Sequence, residues 1–178
     1  MGHLSSQEAL ALRWAELCAD PLLRDLPYKI ELNAWGKIEM SPTSTRHARV
    51  QGAVTAALSN SLPKGAVLTE CPIATDIGVR VPDVAWGSNA FFARHGDATP
   101  LPQAPEICVE VRSLSNADEE MEAKRKAYLA AGAVEVWIVS EAGSVDIFDA
   151  TGRCEASRFA SYQVRRSTIR SESMGFAQ

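Results

Sequence analysis

Acidic residues stand inside two apolar, β-branched runs of this chain. Asp83 lies in Val81-Pro82-Asp83-Val84-Ala85-Trp86, and Glu110 in Glu106-Ile107-Cys108-Val109-Glu110-Val111. An ionised carboxylate in a buried strand costs several kcal/mol unless a cation or hydrogen bonds compensate it. The second run is followed by a helix-forming stretch that carries Lys124. Two carboxylates and an amine on neighbouring elements point to a divalent-metal site. Mg²⁺ prefers hard oxygen ligands, with waters and a substrate phosphate completing its shell.

Alternation along the second run turns Ile107, Val109 and Val111 to one face and Glu106, Cys108 and Glu110 to the other. Glu110 sits near the C-terminal end of that strand, where open α/β sheets place their sites. Pro82 fixes the chain as extended just before Asp83 and so holds its carboxylate. Lys124 follows Met121 by three residues and precedes Tyr128 by four, which places it beside the apolar stripe of its helix. From there it can reach the carboxylates, orient an attacking water or stabilise charge on a pentacovalent phosphate. Each residue also has an ordinary reading. Lys124 has Glu120 four residues before it, the order of a surface pair, and Asp83 can cap a turn after proline. Lys126 and Glu122 have the spacing of a solvated pair.

The elements that must position these residues follow from pattern. Ser5-Ser6-Gln7-Glu8 reads as a capping box, and the helix it opens stops near Asp20-Pro21. Lys29–Leu32 and Lys37–Met40 form a hairpin around Asn33-Ala34-Trp35-Gly36. A second helix spans roughly Arg46 to Leu62, with Val50, Val54, Leu58 and Leu62 on one face. Strands interrupted at Pro72, Gly78 and Pro82 run from Ala66 to Trp86. A long connection from Gly87 to Pro105 has room for a helical turn. Glu106–Val111 is a central strand, and Ser115 and Asn116 are candidate caps for a helix of about Ala117 to Ala131, stopped by Gly132. Val134–Val139 is a further buried strand, paired with Ser144–Phe148. The order predicts a mixed α/β domain with one central sheet, helices on its faces, and one βαβ unit from Glu106 to Val139. Trp35, Trp86 and Trp137 are expected in the core rather than as base-stacking platforms.

The 178 residues suit one domain with a sizeable core. A net charge of −4 argues against a broad nucleic-acid-binding face, because phosphate affinity comes from clustered Lys and Arg, while leaving room for a local basic groove. The four cysteines are dispersed, without a C-x-x-C pair, and are expected to be reduced. No apolar run approaches the roughly 20 residues that span a bilayer, and the N-terminus lacks signal-peptide order. The expected location is the cytoplasm.

From Glu31 to Val145 the chain resembles the Uma-type restriction endonuclease family, within the PD-(D/E)xK nuclease superfamily. The likeness is carried by Glu31-Leu32-Asn33 with Gly36, Met40-Ser41-Pro42 with His47, Arg80-Val81-Pro82-Asp83-Val84-Ala85, and Pro105-Glu106 through Glu110-Val111 with Ser113 and Ser115. Lys124 with Tyr128 and Gly132-Ala133-Val134-Glu135-Val136-Trp137-Ile138-Val139 complete it. The resemblance implies a restriction-endonuclease-like fold and an endonuclease that hydrolyses phosphodiester bonds with Mg²⁺ (or Mn²⁺), DNA being the expected substrate. It implies catalytic roles for Asp83, Glu110, Lys124 and Glu31, with Asp83 and Glu110 as the metal ligands. The lysine is moved from the strand to the following helix. His47 opens the second helix, where it either faces the site or hydrogen-bonds the adjoining loop. Arg112, Leu114 and Glu120 depart from the family pattern. The implied organisation is an N-terminal helical arm over 1–24, a nuclease-like core over 25–150 and a C-terminal extension over 151–178. A nuclease domain this small commonly works as a symmetric dimer, so a homodimer is expected.

One alternative belongs to another class: an inactive nuclease-fold scaffold or interaction module, in which Arg112 neutralises Glu110 internally and no metal is needed.

Overall fold

Leu10, Trp14 and Leu17 recur at helical spacing and are the buried residues of α1 (Ser6–Ala19). A computed structural model describes residues 6–23, 26–113 and 117–159 of the chain. The hairpin is β1 (Tyr28–Asn33) and β2 (Ile38–Pro42), followed by α2 (Thr45–Ser61). Ser44 caps α2 by accepting from the backbone N–H of His47 at 3.1 Å. Then come β3 (Gly65–Thr69), β4 (Ile73–Thr75), β5 (Gly78–Arg80), β6 (Val84–Ser88) and the two-turn helix α3 (Asn89–His95). β7 (Ile107–Arg112), α4 (Asp118–Ala130) and β8 (Glu135–Ser140) form the βαβ unit, and β9 (Val145–Asp149) and β10 (Gly152–Cys154) follow.

The strands form two sheets. The larger, mixed sheet has the order β10-β9-β8-β7-β6-β3, and its parallel pair, β7 and β8, is joined by α4. Its two faces match the alternation read from the sequence. Ile107 and Val109 meet Val54 and Leu58 of α2 together with Trp86 and Trp137. Cys108 meets Phe91 and Tyr128 on the opposite face, under α3 and α4. This three-layer arrangement buries β7 on both sides.

The smaller sheet, β2-β1-β5-β4, is antiparallel throughout and was not legible as a separate unit. The hairpin does not stand at an edge of the central sheet. β1 is flanked by β2 and β5, and α1 packs on their apolar face against Leu32, Val79 and Val81. The β1–β5 register needs a glycine at 78, since a Cβ there would meet the Leu32 carbonyl at 2.0 Å. At the other end of the chain, β10 pairs with β9 and widens the large sheet past residue 150.

Three local expectations need correction or lie out of reach. Trp35 is 82% exposed, because it occupies the β1–β2 turn rather than either sheet face; Trp86 and Trp137 are core. Ser5, Leu114, Ser115 and Asn116 lie outside the described residues. α4 begins after Ala117, which supplies no side-chain cap, and Asp118, Glu119 and Glu120 complement the positive end of the helix dipole instead. Gly132, with φ of 107°, ends α4 as expected. No helix among the described residues is long and apolar enough to cross a membrane.

Candidate active site

Two acidic residues of the site are fastened by the backbone next to another, and the third by a tyrosine hydroxyl. Glu31, on the inward face of β1, accepts the N–H of Val81 at 2.7 Å, two residues before Asp83. Asp83, in the link from β5 to β6, accepts the N–H of Val111 at 2.6 Å, the residue after Glu110. Glu110, near the end of β7, accepts the Tyr128 hydroxyl of α4 at 2.6 Å. The carboxylates of Glu31 and Glu110 then meet again at Lys124 Nζ, 2.9 and 3.5 Å away. Bonds to backbone N–H groups fix both position and charge, so these acids are pre-oriented.

The expected residues therefore come together. Asp83 and Glu110 are each 2% exposed, Glu31 5% and Lys124 6%, and Asp83, Glu110 and Lys124 line one cleft of about 400 Å³. His47 lines it too, with Nε2 3.2 Å from Asp83 Oδ1. Of its two expected arrangements, the one that faces the site is observed. Arg112 does not neutralise Glu110. It stands at the exposed C-terminal end of β7 and pairs with Asp118. Lys126 pairs with Glu122 on the solvent side, as read from spacing.

Lys29 was missed. Its Nζ is 2.8 Å from Asp83 Oδ1 and 3.5 Å from Glu110 Oε2, and its side chain is 10% exposed. The signal was available: Lys29 precedes Glu31 by two residues on a strand, so the two share a face. Gln51, four residues after His47 on α2, was missed likewise and donates to the Asp83 carbonyl at 2.9 Å. Arg80 also pairs with Glu31, at 3.4 Å.

Burial acts against every charge here, and the partners decide each outcome. Burial raises the Asp83 carboxyl, but the His47 hydrogen bond and Lys29 outweigh it and hold the group well below its ordinary range. Glu31 is likewise lowered, with Lys124 and Lys29 overcoming desolvation. Glu110 goes the other way: it is fully buried, and desolvation keeps its pKa raised despite Lys124 and Lys29. Burial would lower Lys124, yet Glu110 leads the carboxylates that raise it. Its ammonium stays charged at neutral pH.

The hydrogen bond to Asp83 raises His47 above 6.5. A group raised on folding contributes stability in full below its unfolded pKa and loses it as pH rises through the folded one. Metal-free stability is therefore expected to fall as pH rises above the ordinary imidazole value of 6.5, and His47→Gln to flatten that slope. Urea unfolding as a function of pH measures it.

Among the described residues, no group of three or more His, Cys, Asp and Glu side chains is arranged to hold a metal ion. Two carboxylate oxygens nevertheless converge on one cationic nitrogen, that of Lys29. Mg²⁺ is commonly held by one or two protein carboxylates plus waters and substrate phosphate, so this donor set fits it.

No curated protein matches the chain. It is similar in structure to a putative nuclease belonging to DUF820 from Anabaena variabilis ATCC 29413, with a TM-score of 0.59 and 14% identity, over 77% of this chain and 88% of that one. This likeness shows a shared fold. A DrdV–DNA complex also matches at a TM-score of 0.42 and 12% identity, over 84% of this chain and 12% of that chain. A profile of the Uma2 family, described as "Putative restriction endonuclease", matches residues 15–173. Matched over that length, the chain belongs to the Uma2 family.

Proposed function

We propose that the protein is a metal-dependent endonuclease that hydrolyses phosphodiester bonds, with DNA as substrate. The observation that carries this reading is the convergence of Asp83 and Glu110 on a single cation position, with Lys124 beside them in an open cleft. Asp83 and Glu110 would hold Mg²⁺ or Mn²⁺. Bound there, the ion would polarise the phosphate and lower the pKa of an attacking water.

The chain's own groups divide the remaining work. Lys124, kept charged by its carboxylate neighbours, donates to water or to a phosphate oxygen and does not act as a base. Glu31 aims that ammonium and holds the Val81-Pro82-Asp83 segment in place. Tyr128 fixes the rotamer of Glu110. Nucleic acid has a path away from the cleft. A second cavity of about 290 Å³, lined by Arg46, Arg112 and Ser140, shares Ser113 with the first. Arg46 there suits a phosphate of the backbone, while Arg112 pairs with Asp118 and the same wall carries Glu141 and Asp146.

The test is incubation of the full chain with supercoiled plasmid and Mg²⁺ or Mn²⁺. Nicked or linear product that disappears with chelator and in Glu110→Gln supports the proposal. Intact DNA and RNA under every metal overturns it. The Arg112–Glu110 ion pair that would favour the scaffold reading is not formed, since Arg112 pairs with Asp118.

Cutting both strands calls for two such clefts, and we propose a homodimer as the working unit. Sedimentation equilibrium at micromolar concentration is expected to give twice the 19.2 kDa chain mass.

A further inference from the structure

Lys29 is the partly buried lysine that pairs with both proposed metal ligands. Its Nζ stands 2.8 Å from Asp83 Oδ1 and 3.5 Å from Glu110 Oε2. Lys124 approaches Glu110 from the other side, at Oε1, and has Glu31 as its nearer partner at 2.9 Å. The two lysines thus divide the carboxylates, and the gap between Asp83 and Glu110 belongs to Lys29. An ammonium and a divalent ion cannot share a gap of that size, because their repulsion far exceeds thermal energy even at an effective dielectric of about 20.

We propose that Lys29 is a displaceable counter-ion: it holds Asp83 and Glu110 together in the metal-free protein and leaves the gap when the ion enters. The inference rests on the metal reading above. Three features make Lys29 the group that moves. It comes from the small sheet, whereas Glu110 belongs to the large one. It lines the cleft, so its flexible four-carbon stem has open space beside it. Among the described residues its ion pairs are with Asp83 and Glu110, the proposed metal ligands, while Lys124 is retained by Glu31.

Without Lys29, Asp83 and Glu110 would lie close together with their negative charge less compensated, a costly arrangement in a buried site. With it, the acids are held in their working spacing before any ion arrives. The same contact lowers apparent metal affinity, because only molecules with the gap open can bind.

Calorimetry with Mn²⁺ on the full chain, on Lys29→Met and on Asp83→Asn tests this. The unmodified chain is expected to bind one ion, Lys29→Met to bind it about tenfold or more tightly, and Asp83→Asn not at all. Equal or weaker binding by Lys29→Met, with the unmodified chain still binding, overturns the exchange and leaves the metal site standing. Absence of binding in both overturns the two together. Should Lys29→Met fail to fold, NMR of the unmodified chain decides. The slowly exchanging ammonium signal of Lys29, assigned by its loss in Lys29→Arg, should vanish as Mg²⁺ saturates. A signal that persists at saturation overturns the proposal.

Discussion

Asp83→Asn is expected to leave the chain folded and to reduce plasmid cleavage by about 10³-fold or more. The replacement keeps an oxygen that can accept the Val111 N–H, so the local backbone link survives. What is lost is the charge that meets Lys29 and His47 and would hold the ion. Removing a single preorganised electrostatic contact typically costs about 10²–10³ in rate, and here occupancy of the ion is lost as well. Cleavage at saturating Mn²⁺ is the readout, with a thermal melt of the same sample as control. Retention of a tenth of the activity by a folded variant would remove Asp83 from the chemistry.

Glu31 separates holding from chemistry. Glu31→Ala strands Lys124 beside Glu110 and opens the bond to Val81, and breaking a buried ion pair from one side costs about 3–5 kcal/mol. Glu31→Gln retains an acceptor for Val81 while losing the charge, and is expected to cost about 1–3 kcal/mol. Urea unfolding measures both, and equal losses would show that the Val81 bond contributes nothing. The pH dependence has a definite sign. Glu31 is lowered on folding, so its contribution is present above the unfolded carboxyl pKa and is lost as pH falls through the folded one. In Glu31→Gln that acid-side loss should shrink.

Much of this arrangement could be read locally, and the rest was hidden for specific reasons. Glu110 and Asp83 stood out because a carboxylate within a β-branched run needs a partner. Lys124 followed from helical spacing together with the family resemblance. Lys29 was overlooked because an isolated lysine on a short strand is unremarkable until its neighbour's destination is known. The small sheet was hidden because β4 and β5 are three residues each and β1 meets β5 across a large sequence separation. Hydrophobic period reports which way a strand faces, not which strand it joins. Arg112 illustrates the same limit, since its partner Asp118 lies beyond the intervening 114–116.

The ring of acids and lysines spans two sheets: Lys29 and Glu31 come from one, Glu110 from the other, and Asp83 from the strap that crosses between them. Such a junction turns alignment into a condition for turnover. A rigid-body slip of one layer by an ångström would separate the charges while every helix and strand stayed intact. Warming should therefore abolish the proposed cleavage several degrees before the circular dichroism changes.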